Sequence, residues 1–151
     1  MNSKPFIISI AAVSGGGKTT VARHLRESLK NAEALYFDDY DFPKQPDDIC
    51  EWVENGADPN AWDLSPMLDD LDELIAKHSK PLDYIILDYP FAYTHPAFAG
   101  RIDFAVFIDT PLDVALARRI LRDYAQSSAD DIRNHLQHYL NRSRDAFLYS
   151  T

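Results

Sequence analysis

The run Ala12–Thr19, A-V-S-G-G-G-K-T, has the residue types and the spacing that bind phosphate. Its three successive glycines leave backbone N–H groups open to an anion, where side chains would block the oxygens. Lys18 supplies positive charge for the β- and γ-phosphates, and Thr19 supplies a hydroxyl that can ligate Mg²⁺. The run matches G-x-x-x-x-G-K-[ST] except at its first position, Ala12. The predicted nucleotide-binding residues are Ser14, Gly15, Gly16, Gly17, Lys18, Thr19 and Thr20.

The flanking segments predict that this run joins a strand to a helix. Residues 6–11 are apolar and indicate a buried strand, and Val21, Leu25 and Leu29 then recur at helical spacing. A glycine-rich turn in that setting is a phosphate loop, because the peptide dipoles of the following helix favour negative charge at its N-terminus. The alternative is a surface turn with a solvated lysine.

Two carboxylates follow other predicted strands. Asp38 comes after a short strand at 34–37, and Asp88 comes after the apolar run 82–87. In a parallel sheet, ligands bind at the carboxyl ends of the strands, so both side chains are expected beside the phosphate loop. We predict that Asp88 joins Thr19 as a Mg²⁺ ligand and that Asp38 acts in catalysis or metal binding. The alternatives are a solvated turn at Asp38 and, for Asp88, an aspartate that caps or pairs at a strand end.

Strands and helices alternate along the chain, which predicts a three-layer α/β/α fold with a parallel sheet. A fourth strand is predicted at 103–108, and residues 43–63 are expected to form a long irregular loop. With 151 residues and no linker, the chain is expected to be a single domain over 1–151.

Three helical features carry further expectations. Ser65, followed by proline, is predicted to cap a helix. The tetrad T-P-L-D at 110–113 is interpreted as a variant of the capping box. A last helix is expected to bury the stripe Ile132, Leu136, Leu140 and Phe147.

Composition limits the partners. The net charge of −9 disfavours nucleic acid and anionic membrane as partners, so an anionic substrate must be bound by local basic groups. Cys50 is the one cysteine, which excludes an internal disulfide. Without a secretory signal or an apolar run long enough to cross a bilayer, a cytoplasmic location is expected.

Three arginines share one predicted helix. Arg122 lies three and four residues after Arg119 and Arg118, so the like charges are neighbours and disfavour one another unless an anion is present. This spacing favours a phosphate-facing cluster. The alternative is a solvated face with ion pairs to Asp113 or Asp123. Separately, five aromatic residues either stack on a substrate ring or pack in the core: Trp52, Trp62, Tyr89, Phe91 and Tyr93.

With the phosphate loop and the acidic run 38–41, the motif D-T-x-x-D-V-x-x-x-R-R-x-x-R-D at 109–123 resembles the uridine kinase family of P-loop kinases, which includes nicotinamide riboside kinase. The resemblance covers nearly the whole chain, and this motif is its most specific part. It implies a P-loop fold and a kinase that uses ATP and Mg²⁺ to phosphorylate a hydroxyl of a small nucleoside-like or sugar-like acceptor.

The resemblance also assigns roles to individual residues. Asp38 matches the carboxylate that accepts the proton of the attacking hydroxyl. Asp88 stands where the family more often has glutamate near the metal. Arg119 and Arg122 match positions that steer phosphate oxygens. The implied catalytic residues are Lys18, Asp38, Arg119 and Arg122.

The chain departs from the family pattern in three places. Ala57 stands where a carboxylate would hold ribose hydroxyls, and the lid stretch 124–130 has no arginine. The chain ends at Thr151, before the strand and loop that in relatives contact adenine, so either a C-terminally shortened protein or an incomplete chain is expected. Two other functions stay open: a nucleotide-binding regulatory module without transferase activity, and a nucleoside monophosphate kinase. The oligomeric state also stays open.

Overall fold

The computed structural model describes residues 4–77 and 79–149. These residues form two compact units. The sheet unit contains β1 up to Ala11 together with Lys18–Gln45 and Pro59–Phe107. The helical unit contains Ala12–Gly17, Pro46–Asp58 and the chain from Ile108 onward. Among the described helices, none is both long and apolar enough to cross a membrane.

A four-stranded sheet organises the sheet unit. Its strands are β1 (Phe6–Ala12), β2 (Ala32–Tyr36), β3 (Tyr84–Asp88) and β4 (Phe104–Ile108), in the order β2-β3-β1-β4. The central strand β3 runs parallel to both β1 and β2. The predicted α/β fold with a parallel sheet is therefore confirmed.

A helix covers each face of this sheet. The helix α3 (Ser65–Lys77) buries Met67 and Leu71 against Ile7, Ile85 and Leu87 of the strands. Successive strand side chains point to opposite faces, so Ile86 and Asp88 point away from α3. There they meet α1 (Lys18–Ser28), which packs on β2 and β3. The three layers predicted from the sequence are present in this unit.

The predicted second strand at 34–37 is present as β2 with different bounds, and two local predictions for the segments flanking α3 were wrong. The second strand ends at Tyr36, and Phe37–Asp39 forms a 3₁₀ turn. Ser65 begins α3 rather than capping it, because the Asp63 carboxylate accepts the Ser65 backbone N–H at 3.1 Å. The presumed loop at 43–63 contains regular structure: the helix α2 (Ile49–Glu54) and a 3₁₀ turn at Pro59–Ala61. The helix α4 (Pro96–Ala99) was not anticipated.

The helical unit contains α2, α5 (Leu112–Asp123), α6 (Ala129–His138) and α7 (Arg144–Tyr149), with a π-helical turn at Tyr139–Ser143 between α6 and α7. Arg142 donates to Glu54 at 3.0 and 3.2 Å and to Asp48 at 2.9 Å. Asp48 also caps α2 by accepting the Glu51 N–H at 3.0 Å. One guanidinium thus holds both ends of α2, and its hydrogen bonds keep the pKa of Glu54 below the usual range.

Two predictions for the helical unit were wrong as well. The capping box at 110–113 does not form: Pro111 is the N-cap of α5, and the Thr110 hydroxyl donates to the Gly16 carbonyl at 2.7 Å. The expected stripe is not buried, since Leu140 is 72% exposed while Tyr139 is only 5% exposed. The wider π turn shifts the helical register, and a different set of side chains turns inward.

Truncating Leu71, which is fully buried in the sheet unit, tests this core. The Leu71→Ala variant should lower the free energy of unfolding by about 2–5 kcal/mol, because it leaves a cavity between α3 and the sheet. The matched Leu140→Ala variant should change it by less than about 0.5 kcal/mol. Urea denaturation of the two variants measures both values, and equal losses would contradict the assigned burial.

Candidate active site

A buried carboxylate connects the first two residues of α1. Asp88 is the last residue of β3 and is 1% exposed. The Lys18 ammonium donates to its Oδ1 in an ion pair, and the Thr19 hydroxyl donates to its Oδ2 at 2.6 Å. The structure therefore brings together the lysine predicted to bind phosphate and the two residues predicted to bind metal.

Strand register explains why these groups meet. Ile10 of β1 pairs with Asp88 of β3, so the carboxylate lies at the carboxyl end of these two strands. The chain leaves β1 at the same end, and α1 begins shortly afterwards at Lys18. Burying an ionised carboxylate is costly unless it is paired and hydrogen-bonded. Lys18 supplies the opposite charge and Thr19 the second hydrogen bond, so both oxygens of Asp88 are satisfied.

The chemistry of this oxygen pair fits Mg²⁺. That ion binds oxygen ligands and uses one or two carboxylates, with substrate phosphates and water completing its octahedron. Asp88 and Thr19 offer one carboxylate and one hydroxyl. Among the described residues no group of three or more histidine, cysteine or acidic side chains is arranged to hold a metal by itself. The residues present fit an ion shared with phosphate.

Beside Asp88 lies a cavity of about 490 Å³, within the size range of small-molecule sites. Tyr36 pairs with Asp88 across the β2–β3 ladder, which places the 3₁₀ turn that carries Asp38 at the same end of the sheet. The predicted base and the predicted metal ligand thus face one space. The cavity is lined by Thr19, Arg23, Arg26, Glu27, Tyr36, Asp38, Asp39 and Asp88.

The sequence motifs did not single out three other cavity-lining residues of α1, which are Arg23, Arg26 and Glu27. Arg23 lies four residues after Thr19, and i,i+4 spacing puts side chains on one helix face. This spacing from Thr19 could have identified Arg23 as a site residue from the sequence. Arg26 pairs with Glu33 at 3.1 Å.

In the helical unit, the glycine loop has a backbone that requires glycine. Gly15 has φ +83° and Gly17 has φ +96°, in the left-handed region. A β-carbon on Gly15 would lie 2.4 Å from the Ala115 carbonyl oxygen. A β-carbon on Gly16 would lie 2.8 Å from that of Ala12, so alanine at position 12 is compatible only with glycine at 16. Ser14 and Thr20 are exposed.

The two arginines assigned by the resemblance have partners of their own. The guanidinium carbon of Arg119 lies 4.2 Å from the Phe147 ring centroid and 5.5 Å from that of Tyr139. Arg119 is 7% exposed, and burial lowers its pKa. Arg122 donates to the Asp123 carboxylate at 2.6 and 3.0 Å. Steering of phosphate by either residue stays a prediction.

Three of the five aromatic candidates pack together in the sheet unit. The rings of Trp62, Tyr89 and Phe91 each lie 5.5–6.3 Å from that of Phe37, measured between centroids. This arrangement is core packing, as the alternative interpretation held. Tyr93 is half exposed.

Comparison with known proteins places this geometry in context. The chain is 31% identical to a uridine kinase of Streptococcus pyogenes serotype M5 over 146 residues, which covers 82% of this chain and 70% of that relative. It is 30% identical to a uridine kinase of Bacillus pumilus over 147 residues, with the same coverage. A uridine kinase of Ligilactobacillus salivarius is 28% identical over 144 residues, or 80% of this chain and 68% of that relative. No protein-family model matches the chain.

Two solved structures share the fold at low identity. A candidate fructose transport system kinase from Silicibacter sp. TM1040 superposes with a TM-score of 0.59 at 13% identity, covering 85% of this chain and 76% of that one. TT1252 from Thermus thermophilus superposes with a TM-score of 0.51 at 20% identity, covering 95% and 81%. With the phosphate-loop sequence, the buried Lys18–Asp88 pair and relatives above 30% identity over most of their length, the chain belongs to the uridine kinase family.

Proposed function

We propose that this protein is an ATP- and Mg²⁺-dependent kinase that transfers the γ-phosphoryl group to a hydroxyl of a small nucleoside-like or sugar-like acceptor. The observation that carries the proposal is the Asp88 carboxylate, which joins Lys18 and Thr19 at the wall of the cavity that Asp38 also lines. A cytoplasmic location, expected from the sequence, is part of the proposal.

Each residue of the donor side has a defined task. Lys18 and the backbone N–H groups of residues 14–19 bind the triphosphate. Asp88 and Thr19 would hold Mg²⁺, which supplies charge neutralisation at the phosphate oxygens. Asp88 pairs with the Lys18 ammonium, and the Lys18 side chain is only 12% exposed.

On the acceptor side, Asp38 accepts the proton of the attacking hydroxyl. As the acceptor oxygen forms its bond to phosphorus, the bond between phosphorus and the departing ADP oxygen breaks, and the hydroxyl proton passes to the Asp38 carboxylate. Phosphoryl transfer depends mainly on positioning and charge neutralisation, so a base contributes a modest part of the rate.

The charges around the cavity favour a neutral acceptor. Four carboxylates and two guanidinium groups line it. Lys18 neutralises the Asp88 carboxylate, and Glu33 neutralises the Arg26 guanidinium. Carboxylates therefore outnumber guanidinium groups among the charges that remain. A phosphate on the acceptor would therefore meet net negative charge. This balance supports a hydroxyl acceptor over a nucleoside monophosphate, and the names of the relatives support a nucleoside.

An acceptor panel tests the proposed function. ADP release should rise when an acceptor without a phosphate group is added. The panel contains the neutral nucleosides uridine and cytidine, the cation nicotinamide riboside, the carboxylates pantothenate and glycerate, and uridine monophosphate. Stimulation by the monophosphate alone would establish the monophosphate-kinase alternative. ATP binding with no stimulation by any member would favour the regulatory module.

Replacing Asp38 tests the proposed base. The Asp38→Asn variant should lower kcat about a hundredfold, because the amide cannot accept the hydroxyl proton. It should leave the Kd for ATP within about threefold, because Asp38 does not contact the donor. The Asp39→Asn variant, which removes the same charge from the same cavity, is the matched control and should retain most of the activity. A variant lacking Asp38 that turned over normally would disprove the assigned role.

Replacing Asp88 tests how metal and nucleotide binding are coupled. Without Mg²⁺, the Asp88→Asn variant should bind ATP about tenfold more tightly than the wild type, because Lys18 is released and a negative charge is removed. Adding Mg²⁺ should increase the ATP affinity of this variant by a smaller factor than it increases the ATP affinity of the wild type. Titration calorimetry with EDTA and with Mg²⁺ measures both effects, with Asp38→Asn as a control for charge alone. If Mg²⁺ increased the ATP affinity of the variant and of the wild type by the same factor, the coupling would be refuted.

A further inference from the structure

A buried histidine of the sheet unit links two segments that are far apart in the sequence. His95 lies between β3 and α4 and is only 5% exposed. Its Nδ1 accepts the Ala97 backbone N–H at 3.1 Å and thereby caps α4. Its Nε2 lies 3.1 Å from the Trp62 carbonyl oxygen, 33 residues earlier in the chain.

These two contacts define the hydrogen-bonding state of the ring. A backbone N–H can only donate and a carbonyl can only accept, so Nδ1 of His95 carries the lone pair and Nε2 carries the hydrogen. Both nitrogens are thus used by the backbone of the protein itself. In this arrangement the ring has no lone pair or hydrogen left for a substrate, so any effect of His95 on the reaction must act through the groups that it holds.

The residue held by His95 packs against the turn that carries Asp38. The Trp62 ring lies 5.5 Å from the Phe37 ring, measured between centroids. The Phe91 ring lies 5.3 Å from that of Trp62 and 5.7 Å from that of Phe37. It also lies 6.0 Å from the His95 ring. We call Phe37, Trp62 and Phe91 the aromatic cluster.

The position of Asp38 depends on this packing. Phe37 and Asp38 are the first two residues of the same 3₁₀ turn. Within the described ranges 4–77 and 79–149, no hydrogen bond or ion pair holds the Asp38 carboxylate. The carboxylate is therefore located by its turn, and the turn is located by the burial of Phe37 among the other rings. A base must lie within hydrogen-bond reach of the proton that it accepts, so a displaced turn lowers the rate.

We propose that His95 is a positioning residue for phosphoryl transfer: by donating to the Trp62 carbonyl, it holds the aromatic cluster that sets Asp38 at the cavity. The inference rests on the proposed function, in which Asp38 is the base, and it adds a residue that touches neither substrate. The bond from Nε2 acts on the reaction, whereas the bond to Nδ1 serves only the cap of α4.

Two conservative variants separate the two bonds. In His95→Asn the amide oxygen keeps the cap, because asparagine is a preferred N-cap residue, but the shorter side chain does not reach Trp62. In His95→Gln the longer amide can donate to the Trp62 carbonyl, while the cap is lost. His95→Asn should lower kcat about tenfold, and His95→Gln should keep kcat within about threefold of the wild type.

The assay is ADP release with the most active acceptor of the panel, supported by calorimetry and thermal melting. The Kd for ATP should stay within twofold in both variants, because His95 lies outside the proposed donor site. The matched control is Thr94→Val, which removes the hydroxyl that donates to the Phe91 carbonyl at 2.6 Å and should keep kcat within twofold. A larger loss of kcat in His95→Gln than in His95→Asn, or an equal loss in Thr94→Val, would overturn the proposal.

Combination with Asp38→Asn tests whether His95 acts through the base. In that background, His95→Asn should lower kcat by less than about twofold further, because the group that it positions is already lost. The same tenfold loss in both backgrounds would mean a general structural effect and would overturn the role of His95 alone. Normal turnover by Asp38→Asn by itself would instead refute the base of the proposed function.

Discussion

The buried Asp88 carboxylate is the constraint on which the rest of the site depends. It lies at the end of β3 with 1% exposure, and its two oxygens take one hydrogen bond each from Lys18 and Thr19. Removing one partner from such a buried pair costs about 3–5 kcal/mol, because a charge is left without compensation. The interaction fixes the beginning of α1 against the sheet and holds the lysine that we propose to bind phosphate.

The sheet extends this arrangement toward the acceptor. Because β2 and β3 are parallel and in register, the turn after β2 brings Asp38 to the cavity that Asp88 borders. The residues that we propose for the donor and acceptor sides are thus positioned by the ends of two neighbouring strands rather than by long loops. The excess of carboxylates around this cavity gives a physical reason for a neutral hydroxyl acceptor, and it matches the family to which the chain belongs.

The parts of the molecule that are specified locally could be predicted from the sequence. The glycine run and the apolar strand that ends at Asp88 lie in continuous segments, so their spacing alone indicated a phosphate site. The role of Thr110 could not be predicted, because its hydroxyl bonds to Gly16, which is 94 residues away. The inward position of Tyr139 depends on a π turn, and the packing of Arg119 depends on rings from another helix. Such contacts between distant segments leave no periodic signal.

The sharpest test of the proposed nucleotide site is a crystal structure with a non-hydrolysable ATP analogue and Mg²⁺. We expect the β- and γ-phosphates to occupy the loop at 12–17, the Lys18 ammonium to have turned from Asp88 to a phosphate oxygen, and the metal to contact Thr19. A nucleotide bound elsewhere, or Lys18 still paired with Asp88 beside bound phosphates, would contradict it.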